Sequence, residues 1–216
     1  MPFSLRNNSA TLTVICGPMK SGKSKELFLI MDRLNYQKID YKIFKPKLDT
    51  RNRDTISSRY FSLFNSAIII DESVPSEILE HIPKELSKPL TVLVDEAHFF
   101  SHELISVVKL LLFRGVNVVI SGLDCDAHFN TFGPMGDLLA IATNIKKLNA
   151  VCESCFSSAS LSALKDSVQS FERGNILIGN DQYLALCLNC YLKHTNYSEK
   201  IPVTHLTEKY EKLNSN

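Results

Sequence analysis

Residues 12–24 constrain the fold more than any other stretch of this chain. Val14-Ile15-Cys16 ends an apolar run. Gly17-Pro18-Met19-Lys20-Ser21-Gly22-Lys23-Ser24 follows with the spacing G-x-x-x-x-G-K-S. Lys25-Glu26-Leu27-Phe28-Leu29-Ile30-Met31 then reads as the opening of a helix. Strand, glycine-rich loop and helix in that order form a phosphate cradle. Backbone N–H groups from Gly17 to Ser24 curl around the phosphates and add to the positive end of the helix dipole. Lys23 reaches the β- and γ-phosphates, and the Ser24 hydroxyl ligates Mg²⁺. A glycine turn of purely structural use is the alternative, but it requires neither the lysine nor the flanking strand and helix.

Apolar strands and helical patterns alternate beyond this loop. Strand patterns fall at residues 12–16, 41–44, 67–70, 90–94, 116–120 and 145–150. Helical spacing covers residues 24–36, 76–86 (with Ser76 as N-cap), 101–114 and 135–142. The runs Leu90-Thr91-Val92-Leu93-Val94 and Val116-Asn117-Val118-Val119-Ile120 suit strands buried on both faces. The expected fold is therefore α/β, a parallel sheet of the P-loop NTPase type with helices on both faces. Sites in such sheets lie at the carboxyl ends of the strands, so Gly17, Asp95 and Gly122 should converge. The grammar changes near Val151, which predicts an arm over residues 1–10 and a nucleotide-binding domain over 11–150. A small metal-binding lobe over 151–194 and a mobile tail over 195–216 complete the expected layout.

Bulk properties narrow the function classes. A chain of 216 residues, 44% apolar and 22% charged, is ordinary for a globular protein. A net charge of +1 implies no bulk attraction to nucleic acid or to an anionic membrane. No apolar run reaches membrane-spanning length, and the N-terminus lacks a signal-peptide layout, so a cytoplasmic location is expected. In that reducing compartment the six cysteines suggest metal rather than disulfides. Cys152-x-x-Cys155 and Cys187-x-x-Cys190 supply four soft ligands for a tetrahedral zinc. A site filled entirely by protein makes that zinc structural. Cys16 and Cys125 stand alone and read as packing residues.

Asp95-Glu96 follows the buried strand at 90–94. An acid there holds Mg²⁺ in P-loop proteins, which suits Asp95. Glu96 is a second carboxylate beside the phosphates, suited to act as a general base. Asp95-Glu96-Ala97-His98 also spells the DEAH box of nucleic-acid helicases. Those ATPases need two such domains, and a chain of this length and charge fits them poorly.

Phosphate loop, acid pair and cysteine pairs, in this order, resemble the thymidine kinase family of the zinc-containing, P-loop kind. The resemblance runs from about Thr11 to Leu192. It is carried by Gly17 to Ser24, Asp49-Thr50-Arg51 and Val94-Asp95-Glu96-Ala97-His98-Phe99-Phe100. Gly122-Leu123-Asp124-Cys125-Asp126, Phe132-Gly133-Pro134-Met135 and Leu148-Asn149-Ala150-Val151-Cys152 continue it, and Gly179-Asn180-Asp181-Gln182-Tyr183 precedes the second cysteine pair.

The resemblance implies transfer of the ATP γ-phosphate to the 5′-hydroxyl of a deoxynucleoside, thymidine by default, forming dTMP. It makes Glu96 the base and places Arg51, oriented by Asp49, against the developing charge. Ser24 and Asp95 would serve Mg²⁺. The zinc-ribbon-like lobe would carry a lasso loop over the nucleoside, with Tyr183 against it. Family members are commonly homo-oligomers, dimers or tetramers, with small-molecule partners only.

Departures from the family pattern cluster around the nucleoside. Ala127 stands where an aromatic packs on the base, and Thr131 replaces a proline before Phe132. His98 replaces a glutamine and reads as touching the nucleoside site beside Phe99. Asn149 replaces threonine or glutamine, and Ile178 replaces a glycine of the lasso. These changes leave open a deoxynucleoside kinase with shifted base preference, or a non-catalytic nucleotide-binding regulator derived from the kinase fold.

Overall fold

The computed structural model describes residues 10–49, 67–165 and 182–195. The expected arm, the segment holding Arg51, the segment holding Ile178 and the tail therefore lie outside the described residues.

Six strands form one parallel sheet: β1 (Leu12–Cys16), β2 (Asp40–Pro46), β3 (Ile68–Ile70), β4 (Leu90–Val94), β5 (Asn117–Gly122) and β6 (Asn144–Lys147). Their order is β3-β2-β4-β5-β1-β6. Successive side chains of a strand point to opposite faces, and the buried residues divide accordingly. Leu12, Val14 and Cys16 join Val92, Val94, Val118 and Ile120 in one core. Ile15, Leu93 and Val119 join a second core on the opposite face. Helix α1 (Lys23–Tyr36) covers the second face with Leu27, Met31 and Leu34. Helix α2 (Glu103–Phe113) covers the first with Leu104, Val107, Val108 and Leu111. The 3₁₀ segment Pro75–His81 and the short helix α3 (Met135–Ala140) pack on that same first face, through Ile78 and through Met135 with Leu138. Every residue of β4 is buried, as a central strand sandwiched between helices requires.

Two expectations need correction. The helix expected over 76–86 is only the 3₁₀ segment Pro75–His81, entered from Val74 rather than capped by Ser76. Ile82 is extended at φ −104° and ψ 124°. It precedes Pro83, whose ring disfavours helical geometry in the residue before it. The strand expected over 145–150 is two strands. β6 ends at Lys147, and β7 (Ala150–Val151) pairs with β8 (Ser158–Ala159) outside the main sheet.

β7 and β8, with β9 (Leu161–Leu164), β10 (Tyr183–Leu186) and helix α4 (Leu188–Thr195), build a second, small lobe. β9 and β10 pair antiparallel. Its core consists of Ala150, Cys152, Ala159, Leu161, Ala163, Ala185, Leu186 and Tyr191. Four of these eight are alanine, so apolar burial alone supplies little stability.

The main lobe depends on α1 being clamped to the sheet. Leu27→Ala removes a side chain that is 0% exposed and is expected to cost about 2–5 kcal/mol, read as a lower denaturant midpoint with unchanged slope. A loss under about 0.5 kcal/mol would contradict the packing described.

Candidate active site

The phosphate loop leaves β1 through Gly17 at φ 139°, where a Cβ would lie 2.2 Å from the Leu148 carbonyl oxygen. Only glycine lets the loop pass the Leu148 backbone so closely. Gly22, at φ 87°, turns the chain into α1, and the Glu26 N–H closes the first helical turn onto the Gly22 carbonyl at 3.0 Å. The Lys23 ammonium is drawn into the loop, donating to the carbonyls of Gly17 (3.0 Å) and Pro18 (2.7 Å). Ser21 Oγ is buried and has no hydrogen-bond partner among the described residues. Ser24 lies exposed in the first turn of α1. A lysine, an unsatisfied hydroxyl and a helix N-terminus on one loop fit a phosphate group.

Two loop residues face the second lobe instead. The Met19 N–H donates to Ser162 Oγ at 2.9 Å in a buried contact. Lys20, at φ 63°, sends its ammonium to Glu153 Oε1 (2.7 Å) and to the Tyr183 carbonyl (3.1 Å). The backbone of Lys20 belongs to the loop, but its charge is directed at Glu153 and Tyr183.

Parallel pairing assembles the acidic group. β2 and β4 are neighbours with Phe44 opposite Val94, so the next residues, Lys45 and Asp95, meet. Lys45 Nζ lies 3.7 Å from Asp95 Oδ2 and 3.6 Å from Asp49 Oδ2, and none of these side chains is more than 6% exposed. Removing one partner from such a buried set is costly, because the remaining charges lose compensation. Lys45 was not singled out from the sequence. The available signal was a lysine ending an apolar strand four residues before an aspartate.

Glu96 follows in the left-handed region at φ 52° and ψ 41°, a conformation that costs a residue with a Cβ about 1–3 kcal/mol. Its N–H donates to Asp95 Oδ1 at 3.0 Å. Glu96 Oε2 lies 3.5 Å from His98 Nε2. The other His98 nitrogen, Nδ1, accepts the Leu123 N–H at 3.1 Å, so the neutral ring carries its proton on Nε2, facing Glu96. The His98 side chain is 0% exposed. Phe99 and Phe132 enclose it at centroid distances of 4.1 and 4.6 Å. Gly133 passes so closely that a Cβ there would lie 2.3 Å from the His98 carbonyl oxygen. In this enclosure the ring packs beside Glu96.

Phe99 and Phe132, both half-buried, meet edge to face at 5.9 Å. Ala127 lies on a loop built around Asp126, whose Oδ1 accepts the N–H groups of His128 (2.9 Å) and Asn130 (2.8 Å). The Ala127 carbonyl accepts the Tyr191 hydroxyl at 2.9 Å, and Phe129 packs edge-on against Tyr191 at 5.8 Å. Asn149 is exposed between the lobes' strands. Asp124 ends the strand side of this loop, bound to Lys147 at 2.8 Å. Burial, then the Asp124 charge, pushes the Cys16 thiol up to about 11. Burial likewise raises Cys125. Both are neutral packing thiols. Nothing local in the sequence marks the long-range contacts of Ser162 and Glu153.

The ligand atoms of Cys152, Cys155, Cys187 and Cys190 all lie within 4.8 Å of one another. Cys155 and Cys187 sulfurs are 3.7 Å apart, close to the roughly 3.8 Å edge of a tetrahedron with 2.3 Å zinc–sulfur bonds. Burial opposes a thiolate at Cys152, yet backbone N–H donors at Cys187, Cys155 and Ser154 pull its pKa down to about 6. The Cys190 N–H and the Ser157 hydroxyl lower Cys187. At Cys190 the Ser154 side chain works downward, but Cys187 and Cys155 outweigh it and hold the thiol up at about 12. Thiols competing for protons at this spacing are suited to share a cation instead. The donor set therefore fits zinc.

No helix among the described residues is long and apolar enough to cross a membrane. A solved genome-packaging NTPase from Sulfolobus turreted icosahedral virus 2 overlays only weakly. Its TM-score is 0.43 at 16% identity, over 64% of this chain and 74% of that one. Sequence relatives are far closer. A thymidine kinase of Mycoplasma genitalium is 42% identical over 156 residues, 72% of this chain and 71% of its own. One of Bacteroides thetaiotaomicron is 37% identical over 187 residues, 84% of this chain and 87% of its own. The thymidine kinase family model matches residues 10–191, a span that takes in the phosphate loop, the acid pair and all four clustered cysteines, and the chain belongs to that family.

Proposed function

We propose that this protein transfers the γ-phosphoryl group of ATP to the 5′-hydroxyl of thymidine, giving dTMP and ADP. The observation that carries this reading is the Asp95-Glu96 pair. Glu96 is held in a strained backbone conformation directly after the central strand β4, in a chain whose relatives are thymidine kinases. Strain of this kind persists where the surroundings over-determine it.

In the proposed step the Glu96 carboxylate takes the 5′-hydroxyl proton. The nucleoside oxygen forms a bond to the γ-phosphorus as the bond to the bridging oxygen of ADP breaks. His98 orients Glu96 through Nε2–H, and Lys23 carries the phosphates. Ser24 and Asp95 would hold Mg²⁺, with Lys45 keeping Asp95 in place. Mg²⁺ bound there neutralises charge on the phosphate oxygens. Arg51, with Asp49, is assigned to charge developing on the transferred group. Phe99, Phe132, Ala127, Asn149, Ile178 and Tyr183 are assigned to the nucleoside side.

A shifted base preference is the second reading, favoured by Ala127. Its small side chain offers no stacking surface, and its carbonyl is committed to Tyr191. Loss of an aromatic stack costs about 1–3 kcal/mol per base. A cytoplasmic oligomer without nucleic-acid partners belongs to the same proposal, supported by a net charge of +1.

Labelled ATP offered with thymidine, deoxyuridine, deoxycytidine and purine deoxynucleosides tests both readings. Transfer to thymidine and deoxyuridine alone is expected. Efficient transfer to deoxycytidine or a purine would establish the shifted preference, and transfer to none would overturn both. Glu96→Gln is expected to lower turnover about 10²–10⁴-fold while leaving ATP binding nearly unchanged. Unchanged turnover would remove Glu96 as the base. Metal analysis of protein never exposed to chelator should give about one zinc per chain, lost with Cys187→Ser, as a four-cysteine structural site requires. Absence of zinc in the unsubstituted protein would sink the metal assignment.

A further inference from the structure

The phosphate loop is not self-supporting. Its Met19 N–H is satisfied by Ser162, a residue 3% exposed on β9 of the second lobe. Its Lys20 holds a left-handed φ of 63°, which a residue with a Cβ does not choose unaided. The side chain of Lys20 is fastened at Glu153 Oε1 and at the Tyr183 carbonyl. Glu153 is itself set by the lobe, because the same oxygen accepts the Ala185 N–H at 2.8 Å and the Glu153 N–H donates to the Ala185 carbonyl at 2.9 Å. Glu153 also follows Cys152 directly, so its backbone is continuous with the thiol cluster.

We infer that Ser162 and Glu153 are positioning residues for the phosphate loop, so that nucleotide affinity is set in part by the second lobe. This rests on the loop being the nucleotide site, as proposed above. Neither residue touches the phosphates. Each removes a conformational choice that the loop would otherwise have to make on binding, and a loop that must be reorganised binds more weakly by the fraction of time it is competent. Ser162 carries most of the effect. Its contact is buried, and loss of the hydroxyl strands a buried N–H. The Lys20–Glu153 pair is about one-third exposed on each side, so solvent weakens it.

Calorimetric ATP titration of the full chain, steady-state kinetics and hydrogen exchange of the segment 17–24 test the inference together. Ser162→Ala is expected to weaken ATP binding about 5–100-fold. It should raise KM for ATP far more than KM for the nucleoside and speed exchange in the loop. Ser162→Thr, which keeps the hydroxyl, should restore most of the affinity. Glu153→Ala and Lys20→Ala should each weaken ATP binding about 2–5-fold, and the double variant should be no worse than the single ones. Variants with wild-type ATP affinity and wild-type loop exchange would overturn the inference while leaving the kinase reading intact. Equal losses for ATP and nucleoside, with a lowered melting temperature, would also overturn it as general damage to the lobe. Wild-type protein that binds no ATP would instead overturn the nucleotide reading, and the affinity claim with it, whatever the loop exchange shows.

Discussion

Parallel strand register is the constraint on which the rest of the site depends. With β1, β2, β4 and β5 all running the same way, every strand delivers its last residue to one edge of the sheet. The loop after β1, Lys45 at the end of β2, Asp95 after β4 and Gly122 at the end of β5 are thereby gathered from distant parts of the chain. A slip of one residue between β2 and β4 would separate Lys45 from Asp95 and exchange the side chains that β4 gives to the two cores, Val92 and Val94 on one face and Leu93 on the other. Close packing on both faces of β4 opposes that slip, because each core is filled by side chains of particular shape. Packing on both faces of the sheet thus sets the positions of the charges at its edge.

Glycines sharpen that edge by omission. Gly17 lets the loop lie against Leu148, and Gly133 lets a turn close over His98. His98 then has one nitrogen satisfied by Leu123 and the other directed at Glu96. Half-buried Phe99 and Phe132 flank His98, whose enclosed ring meets the Glu96 carboxylate.

The second lobe follows a different logic. Its core is small and rich in alanine, and four closely spaced thiols lie beside it in an arrangement that fits a metal ion, whose binding would add stability that the small core lacks. The lobe in turn touches the main domain at two loops: the 17–24 loop through Ser162 and Glu153, and the Ala127 loop through Tyr191.

Much of this was legible in the amino-acid order, because the phosphate loop, the Asp95-Glu96 pair and the cysteine pairs are local patterns with a mechanism behind their spacing. Strand and helix positions followed from apolar periodicity. Of the two exceptions, the one at 76–86 arose because a helical apolar pattern ran into Pro83, and the one at 145–150 because the chain leaves the main sheet after Lys147 to pair in the second lobe. Sequence by itself therefore determined the class of fold and the family, through a phosphate-loop motif, an acid pair and paired cysteines each encoded within a few consecutive residues. Tertiary structure alone decided that His98 is enclosed beside Glu96, that Lys45 bridges Asp49 and Asp95, and that Lys20 reaches across to Glu153. Those contacts join residues from separate strands, loops and lobes. Their partners are chosen by register and packing, which no local spacing records.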